Sequence, residues 1–297
     1  MADSIRVSNL SKEYSEGNKV LNGLSFIIQK GALAGVVGAN GSGKTTLFKV
    51  LSGLIRDYEG EYEIVGQIKN MTPKGIVSYL PEVRGLDTRA YVLNHLTELL
   101  MYKGIKRKIA EKSISDWLRR FEIEELKYRK ISSLSKGNQQ KLQIILSLAS
   151  ESEIIILDEP FSGLDITTVD SVMDVLLEEN RQGRTVLFSS HDFFDKYYSC
   201  DYFLMLKSGK LIQNGKTEDI FGSKPKILEL KNKTAREEDL IRIAGKNNVA
   251  RNDDEYEIKV CNEEMARQIF DSLADKYSEK FNLRKQSLSE LFREIYG

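Results

Sequence analysis

The chain has 297 residues, enough for one large hydrophobic core, or for one core with a small appended domain. Lys+Arg and Asp+Glu both number 44, so the formal net charge is zero and gives no basic footprint for nucleic acid. Cys200 and Cys261 lack metal-ligand spacing and predict reduced thiols. No signal-peptide pattern opens the sequence, and no apolar run approaches the roughly 18–20 residues of a membrane-spanning helix.

Five short segments of the N-terminal part have the apolar composition of strands: residues 5–10, 24–28, 33–37, 62–68 and 76–80. A turn-rich stretch at Ser15–Asn18 separates the first two. After residue 37, helical spacing begins at Thr46 and continues to Leu51. The pattern predicts a strand, a tight turn and a helix in direct succession.

The turn between this strand and helix is a complete phosphate-binding loop. It matches the pattern G-x-x-x-x-G-K-[ST], in which backbone amides turn inward around a phosphate at a helix N-terminus. Its residues, with the threonine that follows, are Gly38, Ala39, Asn40, Gly41, Ser42, Gly43, Lys44, Thr45 and Thr46. Lys44 is expected to neutralise the β- and γ-phosphates of a bound nucleoside triphosphate, and Thr45 to ligate Mg²⁺. A glycine-rich turn that binds nothing is the less favoured alternative.

Residues 88–150 change to helical spacing, which predicts a helical insertion in a strand-rich chain. Buried strands return at Ile154–Leu157 and Thr185–Phe188, with a crossover helix at about 167–182. The first of these strands ends in two carboxylates, Asp158 and Glu159. Asp158 is placed to hold Mg²⁺, and Glu159 to orient or deprotonate the water that attacks the γ-phosphate. A solvated acidic turn would be the alternative if this segment stood alone.

A third segment, Leu134–Lys141, reads LSKGNQQK and has the signals of a helix N-terminus with Ser135 as its cap. Taken alone it does not exceed an ordinary helix start. Together with the phosphate loop and the acidic strand end, however, residues 5–220 resemble the ATP-binding cassette (ABC) family, whose signature opens a helix with a Leu-Ser-Gly-Gly-Gln-like sequence. Three further segments resemble family motifs in the same order: the Q-loop at Tyr79–Glu82, the D-loop at Ser162–Asp165 and the switch histidine, His191.

The resemblance implies roles for particular residues. Tyr14 would stack on adenine, Glu82 would ligate Mg²⁺ in place of the family's glutamine, and His191 would contact the γ-phosphate. Ser135, Gly137, Asn138 and Asp165 would act on ATP held by a second subunit. Lys136 and Asn138 depart from the glycine and glutamine that many members carry at those signature positions. The catalytic residues would be Glu159, His191 and Lys44, and the cofactors ATP and Mg²⁺.

The fold implied is α/β: a P-loop NTPase cassette with a mixed-sheet core, an antiparallel N-terminal β part and an inserted helical subdomain at about 85–150. We expect this ATPase domain to span residues 1–222. Residues 223–297 are expected to form a linker, near 222–235, and a small α+β extension. Tyr256–Val260 predicts a strand, Glu263–Tyr277 a helix, and Ser287–Glu290 a capping box for a closing helix. Residues 241–249 are compatible with either a strand or a helix.

In the family one cassette is half an enzyme, so the resemblance implies a head-to-tail pair with a second copy. It also implies an integral membrane permease as partner and no nucleic acid. The chain would then lie in the cytoplasm, peripheral on the inner face of the membrane, and power transport. Glu82 and the tail favour the export-type, drug-resistance-like subgroup. The alternative is a soluble ABC-type ATPase that acts on ribosomes or nucleic acid.

Overall fold

The computed structural model describes residues 2–15, 17–66, 75–82, 85–190, 199–221, 226–232, 235–253, 255–273, 279–286 and 290. The chain divides into two compact units, Met1–Thr217 and Glu218–Gly297. Each unit has its own cluster of buried apolar side chains. The sequence-predicted domain limits, 1–222 and 223–297, stay a prediction beside this division.

The N-terminal unit contains a three-stranded antiparallel sheet in the order β2-β1-β4. Its strands are β1 (Asp3–Glu13), β2 (Lys19–Gln29) and β4 (Glu59–Ile64). β1 and β2 extend further than the predicted segments, because alternation with exposed polar residues hides their ends in the sequence. Ile5, Val7 and Leu10 of β1 are buried in the core of the unit.

A second, six-stranded sheet has the order β5-β6-β7-β3-β8-β9. Its strands are β3 (Leu33–Val37), β5 (Val77–Leu80), β6 (Ile154–Leu157), β7 (Thr185–Ser190), β8 (Tyr202–Lys207) and β9 (Lys210–Lys216). The first five strands in this order pair in parallel, and β9 runs antiparallel to β8. Every residue of β3, β6 and β7 is buried. Because parallel strands end at one edge, the segments that follow β3, β6 and β7 meet there.

The described residues of this unit form the helices α1 (Lys44–Leu51), α2 (Val92–Tyr102), α3 (Arg107–Arg120), α4 (Lys136–Leu148) and α5 (Ile166–Arg181). α1 follows β3 after the phosphate loop, and α5 forms the crossover between β6 and β7. Helices α2, α3 and α4, with short 3₁₀ turns at Glu124–Leu126 and Ile131–Ser133, occupy the part of the chain for which we expected a helical insertion. In the described part of the chain, no helix has both the length and the apolar character that crossing a bilayer requires.

A buried ionic cluster joins α3 to the C-terminal end of α5. The carboxylate of Glu179, whose side chain is 4% exposed, accepts hydrogen bonds from Arg120 at 3.0 Å and Arg184 at 2.8 Å. The guanidinium of Arg184 also donates to the carbonyl oxygens of Leu148 at 3.0 Å and Ser152 at 2.8 Å. Arg184 therefore connects the end of α4, the start of β6 and the end of α5.

The C-terminal unit is a split βαβ fold with four antiparallel strands in the order β11-β12-β10-β13. α6 (Thr217–Phe221) lies at the boundary between the units, and the elements that follow are β10 (Lys226–Lys231), α7 (Glu237–Ala244), β11 (Val249–Asn252), β12 (Glu255–Val260), α8 (Glu263–Ser272) and β13 (Lys280–Lys285). Leu228 and Leu230 pack with Ile258, Leu240 and Ile269 in its core. The unit thus has the α+β composition expected from the sequence.

The segment near 222–235, expected to be a linker or a domain boundary, contains a strand, because residues 226–231 form β10, which pairs on both sides. Charged residues alternate with buried leucines along this strand and give it a polar composition. The segment 241–249, undecided from sequence, contains the end of α7 and the start of β11. The helix expected over Glu263–Tyr277 ends at Ser272, with 274–278 outside the described residues. Of the capping box and closing helix expected from Ser287, only Glu290 is described.

Candidate active site

The phosphate loop lies between β3 and α1 and brings Lys44 to the acidic end of β6. The Lys44 ammonium group donates hydrogen bonds to the carbonyl oxygens of Gly38 at 2.7 Å and Ala39 at 3.4 Å. Its Nζ also lies 3.4 Å from Oε1 of Glu159, and the two side chains are only 6% and 8% exposed. Two oppositely charged groups with little solvent access therefore face the same space.

Two glycines of this loop allow neighbouring backbone segments to approach it closely. A Cβ at Gly38 would lie 2.4 Å from the carbonyl oxygen of Leu206, which is closer than non-bonded atoms approach. Gly43 has φ 107°, and a Cβ there would lie 2.7 Å from the carbonyl oxygen of Val20. The loop can take this form only with glycine at both positions.

A cavity of about 230 Å³ opens over the loop. It is lined by Val20, residues 40–46, Glu82 and Glu159. The hydroxyl oxygen of Ser42 is buried and has no hydrogen-bond partner among the described residues. The structure therefore brings together the loop, the Q-loop glutamate and Glu159, as the sequence predicted for a nucleotide site.

A chain of hydrogen bonds holds the carboxylate of Asp158 and the backbone N–H of Glu159, the two residues that follow β6. Asp158 is fully buried, and its Oδ1 accepts a hydrogen bond from the Ser189 hydroxyl at 2.6 Å. The Ser189 oxygen in turn accepts the backbone N–H of Glu159 at 2.8 Å. The hydroxyl of Tyr79 donates to Asp158 Oδ2 at 3.4 Å. Burial, and then the negative charge of Asp158, raise the pKa of Tyr79 well above its ordinary value, so its hydroxyl stays protonated.

Tyr14, at the end of the β1–β2 strand pair, lies beside the phosphate loop. Its hydroxyl is 3.4 Å from the hydroxyl of Thr46, at the start of α1, and the residue is 57% exposed. Lys12 Nζ lies 5.1 Å from the ring centroid on one face. An exposed aromatic ring at the edge of this loop has the position that stacking on a base requires.

The signature segment lies at the N-terminus of α4 and does not line the cavity over the loop of its own chain. The Ser135 hydroxyl caps this helix by accepting the backbone N–H of Asn138 at 3.2 Å. A Cβ at Gly137 would make ordinary contacts with Leu164 of the D-loop, at 3.6 Å. The amide of Gln140, one turn into the helix, donates to the carbonyl oxygen of Pro160 at 3.0 Å.

Asp165 caps α5 and is satisfied by its own helix. Its carboxylate accepts hydrogen bonds from the Thr167 hydroxyl at 2.6 Å and from the backbone N–H of Thr168 at 2.9 Å. These bonds lower the pKa of Asp165 to about 2, so the carboxylate is charged at neutral pH. Asp165 is exposed, and its expected role toward ATP on a second copy stays a prediction beside this capping role.

His191 lies outside the described residues, so its predicted contact with the γ-phosphate stays a prediction. Sequence reasoning assigned no role to Ser189, Tyr79 or Gln140, although each bonds to the segment 158–160. The available signal for Ser189 was a polar residue at the end of a buried strand next to β6. The hydrogen-bond partner of Ser189 could not be predicted, because the order of strands along the sequence does not give their order in the sheet.

Comparison with known proteins decides the family. The family model described as ABC transporter matches residues 21–162. The uncharacterized ABC transporter ATP-binding protein YhaQ of Bacillus subtilis is 33% identical over 298 residues, which cover 99% of this chain and 98% of YhaQ. The chain belongs to the ABC transporter ATP-binding protein family. An uncharacterized ABC transporter ATP-binding protein of Methanocaldococcus jannaschii is 41% identical over 220 residues, covering 74% of this chain and 80% of that protein.

Solved ABC cassettes share the fold of this one. A dimeric cassette, MJ0796, described in a post-hydrolysis state with ADP and phosphate bound, has a TM-score of 0.66 and 25% identity. The match covers 72% of this chain and 98% of that structure. The α/β cassette fold predicted from the sequence is therefore confirmed. Members of the family bind and hydrolyse ATP, and the cassette described here is an ATPase of this family.

Proposed function

We propose that this cassette is the ATP-hydrolysing subunit of an export-type ABC transporter, and that it works as a head-to-tail pair with a second copy of itself. The main support for the pair is the lining of the cavity over the phosphate loop. Glu159 and Glu82 line it, but none of the signature residues of the same chain does. Ser135 and Gly137 lie instead at the start of α4, where a second copy can approach them. The related cassette MJ0796 is described as dimeric.

The residues around the cavity fit MgATP. The glycine-lined loop leaves room for phosphate oxygens, and Ser42 has a buried hydroxyl without a partner among the described residues. Thr45, Asp158 and Glu82 offer the hard oxygen donors that Mg²⁺ prefers. No cluster of three acidic, histidine or cysteine side chains suited to a metal occurs among the described residues. This agrees with a cation that completes its shell with phosphate oxygens and water.

In the proposed reaction each residue has one task. The ammonium group of Lys44 exchanges its hydrogen bonds to Gly38 and Ala39 for the β- and γ-phosphates, and balances the charge that develops there. The carboxylate of Glu159 orients the attacking water and accepts its proton. Mg²⁺, held by Thr45, Asp158 and Glu82, would neutralise negative charge on the phosphates. Tyr14 stacks on adenine, and His191 contacts the γ-phosphate.

The second copy completes the site. In the proposed pair, Ser135, Gly137 and Asn138 of the second copy close over the γ-phosphate, with Asp165 of its D-loop nearby. The pair would then close only when ATP is bound, and hydrolysis would open it again. This movement would drive a separate membrane permease that holds the substrate, and the cassette would lie on the cytoplasmic face of the membrane.

Two features support export. The Q-loop carries Glu82, and the chain continues into a separate C-terminal α+β unit, and both resemble the export-type subgroup. YhaQ matches this chain over its whole length, so that relative also covers the C-terminal unit. A relative named for manganese transport in Synechocystis is 29% identical over 225 residues.

A complementation experiment tests the shared site. Lys44→Ala removes the phosphate-binding ammonium group, and Ser135→Ala removes the signature hydroxyl, so each variant alone should lose most ATPase activity. In a head-to-tail pair of the two variants, one site has both its loop and its signature intact. Mixing two inactive proteins should therefore restore activity. A mixture as inactive as its components would show that the site is built within one chain, and would refute the proposed pair.

A second experiment tests the membrane partner. Tagged Glu159→Gln protein with ATP should be held closed, because binding is intact and the water is no longer activated. Recovery of a multi-spanning membrane protein in near-equal amount from gently solubilised native membranes would support the transporter. Recovery of ribosomes or nucleic acid in its place would refute the transporter and favour the soluble ATPase alternative. A Glu111→Gln variant, changed at a partly exposed residue of α3, serves as the hydrolysing control.

A further inference from the structure

Ser189 joins the two acidic residues of the proposed site by hydrogen bonds that no family motif assigns. Its hydroxyl donates to Oδ1 of Asp158 at 2.6 Å and accepts the backbone N–H of Glu159 at 2.8 Å. Ser189 and Asp158 are 0% exposed, and Glu159 is 7% exposed. A hydroxyl can donate one hydrogen bond and accept others, so this one oxygen satisfies a buried carboxylate and a buried amide together.

The backbone at Glu159 needs such support. Glu159 has φ 50°, a left-handed conformation that is unfavourable for a residue with a side chain. Beyond β6 the two consecutive carboxylates have different neighbours: Asp158 contacts Ser189 of β7, and Glu159 contacts Lys44. The bond from the Glu159 N–H to Ser189 fixes the peptide between the two residues. β6 and β7 pair directly, so Ser189 is carried by a rigid neighbouring strand.

Asp158 is held from two sides. The Ser189 hydroxyl engages Oδ1 and the Tyr79 hydroxyl engages Oδ2, at 2.6 Å and 3.4 Å. With the shorter bond on Oδ1, Ser189 sets the plane of the carboxylate and therefore the direction in which its remaining lone pairs point. Residues behind a metal ligand typically change metal affinity or activity 10- to 100-fold when removed.

We propose that Ser189 is a positioning residue that aligns Asp158 for Mg²⁺ and, through the same oxygen, holds Glu159 at the attacking water. The inference rests on the proposed roles of Asp158 and Glu159. It couples the two tasks: a change at Ser189 displaces the metal ligand and the catalytic carboxylate together. The affinity of the phosphate loop for the nucleotide itself should not depend on Ser189.

The test separates metal-dependent from metal-independent steps. Ser189→Ala should lower ATP turnover about 10- to 100-fold and raise the half-saturating Mg²⁺ concentration about 10-fold. Equilibrium binding of a fluorescent ATP analogue in EDTA should stay within about 2-fold of wild type, because the phosphate loop is unchanged. Ser189→Thr restores a hydroxyl and should return the half-saturating Mg²⁺ concentration to the wild-type value. Ser147→Ala removes another buried hydroxyl, bonded to the Gln143 carbonyl within α4, and should leave all three quantities unchanged.

Asp158→Asn, measured in parallel, distinguishes failure of the inference from failure of the proposed function. If Asp158→Asn raises the Mg²⁺ requirement and Ser189→Ala does not, the positioning role of Ser189 is refuted. If Asp158→Asn leaves the Mg²⁺ requirement unchanged, the proposed metal role of Asp158 fails. If Ser189→Ala weakens binding in EDTA as strongly as it lowers turnover, Ser189 supports the fold of the loop in general, and the inference is overturned.

Discussion

Replacing Glu179 by alanine should destabilise the N-terminal unit by about 3 kcal/mol, since breaking a buried ion pair typically costs 3–5 kcal/mol. The carboxylate is 4% exposed and accepts charged hydrogen bonds from Arg120 at 3.0 Å and Arg184 at 2.8 Å. Arg184 keeps the carbonyl oxygens of Leu148 and Ser152 as acceptors, so the loss should lie at the lower end of that range. In a unit of this size about 1 kcal/mol shifts the melting temperature by about 3 °C, so we expect a decrease of about 9 °C.

The neighbouring Glu178 provides the matched control. It also pairs with Arg120, but its side chain is 55% exposed. Exposed ion pairs typically contribute less than about 1 kcal/mol, so Glu178→Ala should lower the melting temperature by no more than about 3 °C. Both variants are compared with wild type by circular dichroism melting at one salt concentration. Equal shifts for the two variants would refute the argument, because burial would then not determine the cost.

Three further predictions concern other parts of the molecule. Gly43→Ala should destabilise the fold by about 1–3 kcal/mol more than Gly41→Ala, because a Cβ at Gly43 meets the Val20 carbonyl at 2.7 Å whereas one at Gly41 has nothing within 4 Å; equal melting temperatures would contradict this. In the native protein the exposed Cys261 should react with a thiol reagent, whereas Cys200, which is buried and whose pKa is raised by burial, should react only after unfolding. Fast reaction of both thiols in the native protein would contradict the buried position of Cys200. Hydrogen bonds from Lys280 and Arg284 lower the pKa of Glu229 to about 2 from 4.5, so the C-terminal unit should lose stability as pH falls through this range. In calorimetry Glu229→Gln should weaken that pH dependence, and an unchanged pH profile would contradict the assignment.

The sequence predicted that Lys44 and the acidic end of β6 lie at one edge of the sheet, and the structure places Lys44 beside Glu159. One glycine-rich turn and one acidic pair each follow a buried strand, and parallel strands end at the same edge of a sheet. The cap at Ser135 was likewise readable, since a cap and its helix are neighbours in sequence. Local chemistry and the parallel direction of the strands were sufficient for these features.

Features that depend on pairing between distant segments could not be predicted. Ser189 bonds to Asp158 only because β7 lies beside β6, and nothing in a single sequence gives that adjacency. β10 was taken for linker because its charged residues alternate with leucines, and only pairing with β12 and β13 explains that alternation. Asp165 shows a different limit of sequence reasoning. Its carboxylate caps its own helix, and the motif match alone did not indicate this structural role.

The bond from Gln140 to the Pro160 carbonyl has a consequence for a paired enzyme. The bond is buried, and it ties the helix opened by the signature to Pro160, the residue that follows Glu159. In the proposed pair these two parts of one chain serve different ATP molecules, the signature on the opposite site and Glu159 on its own. A displacement of Glu159 on hydrolysis at one site would therefore reach the signature that covers the other through one amide. Hydrolysis at the two sites would then be coupled rather than independent.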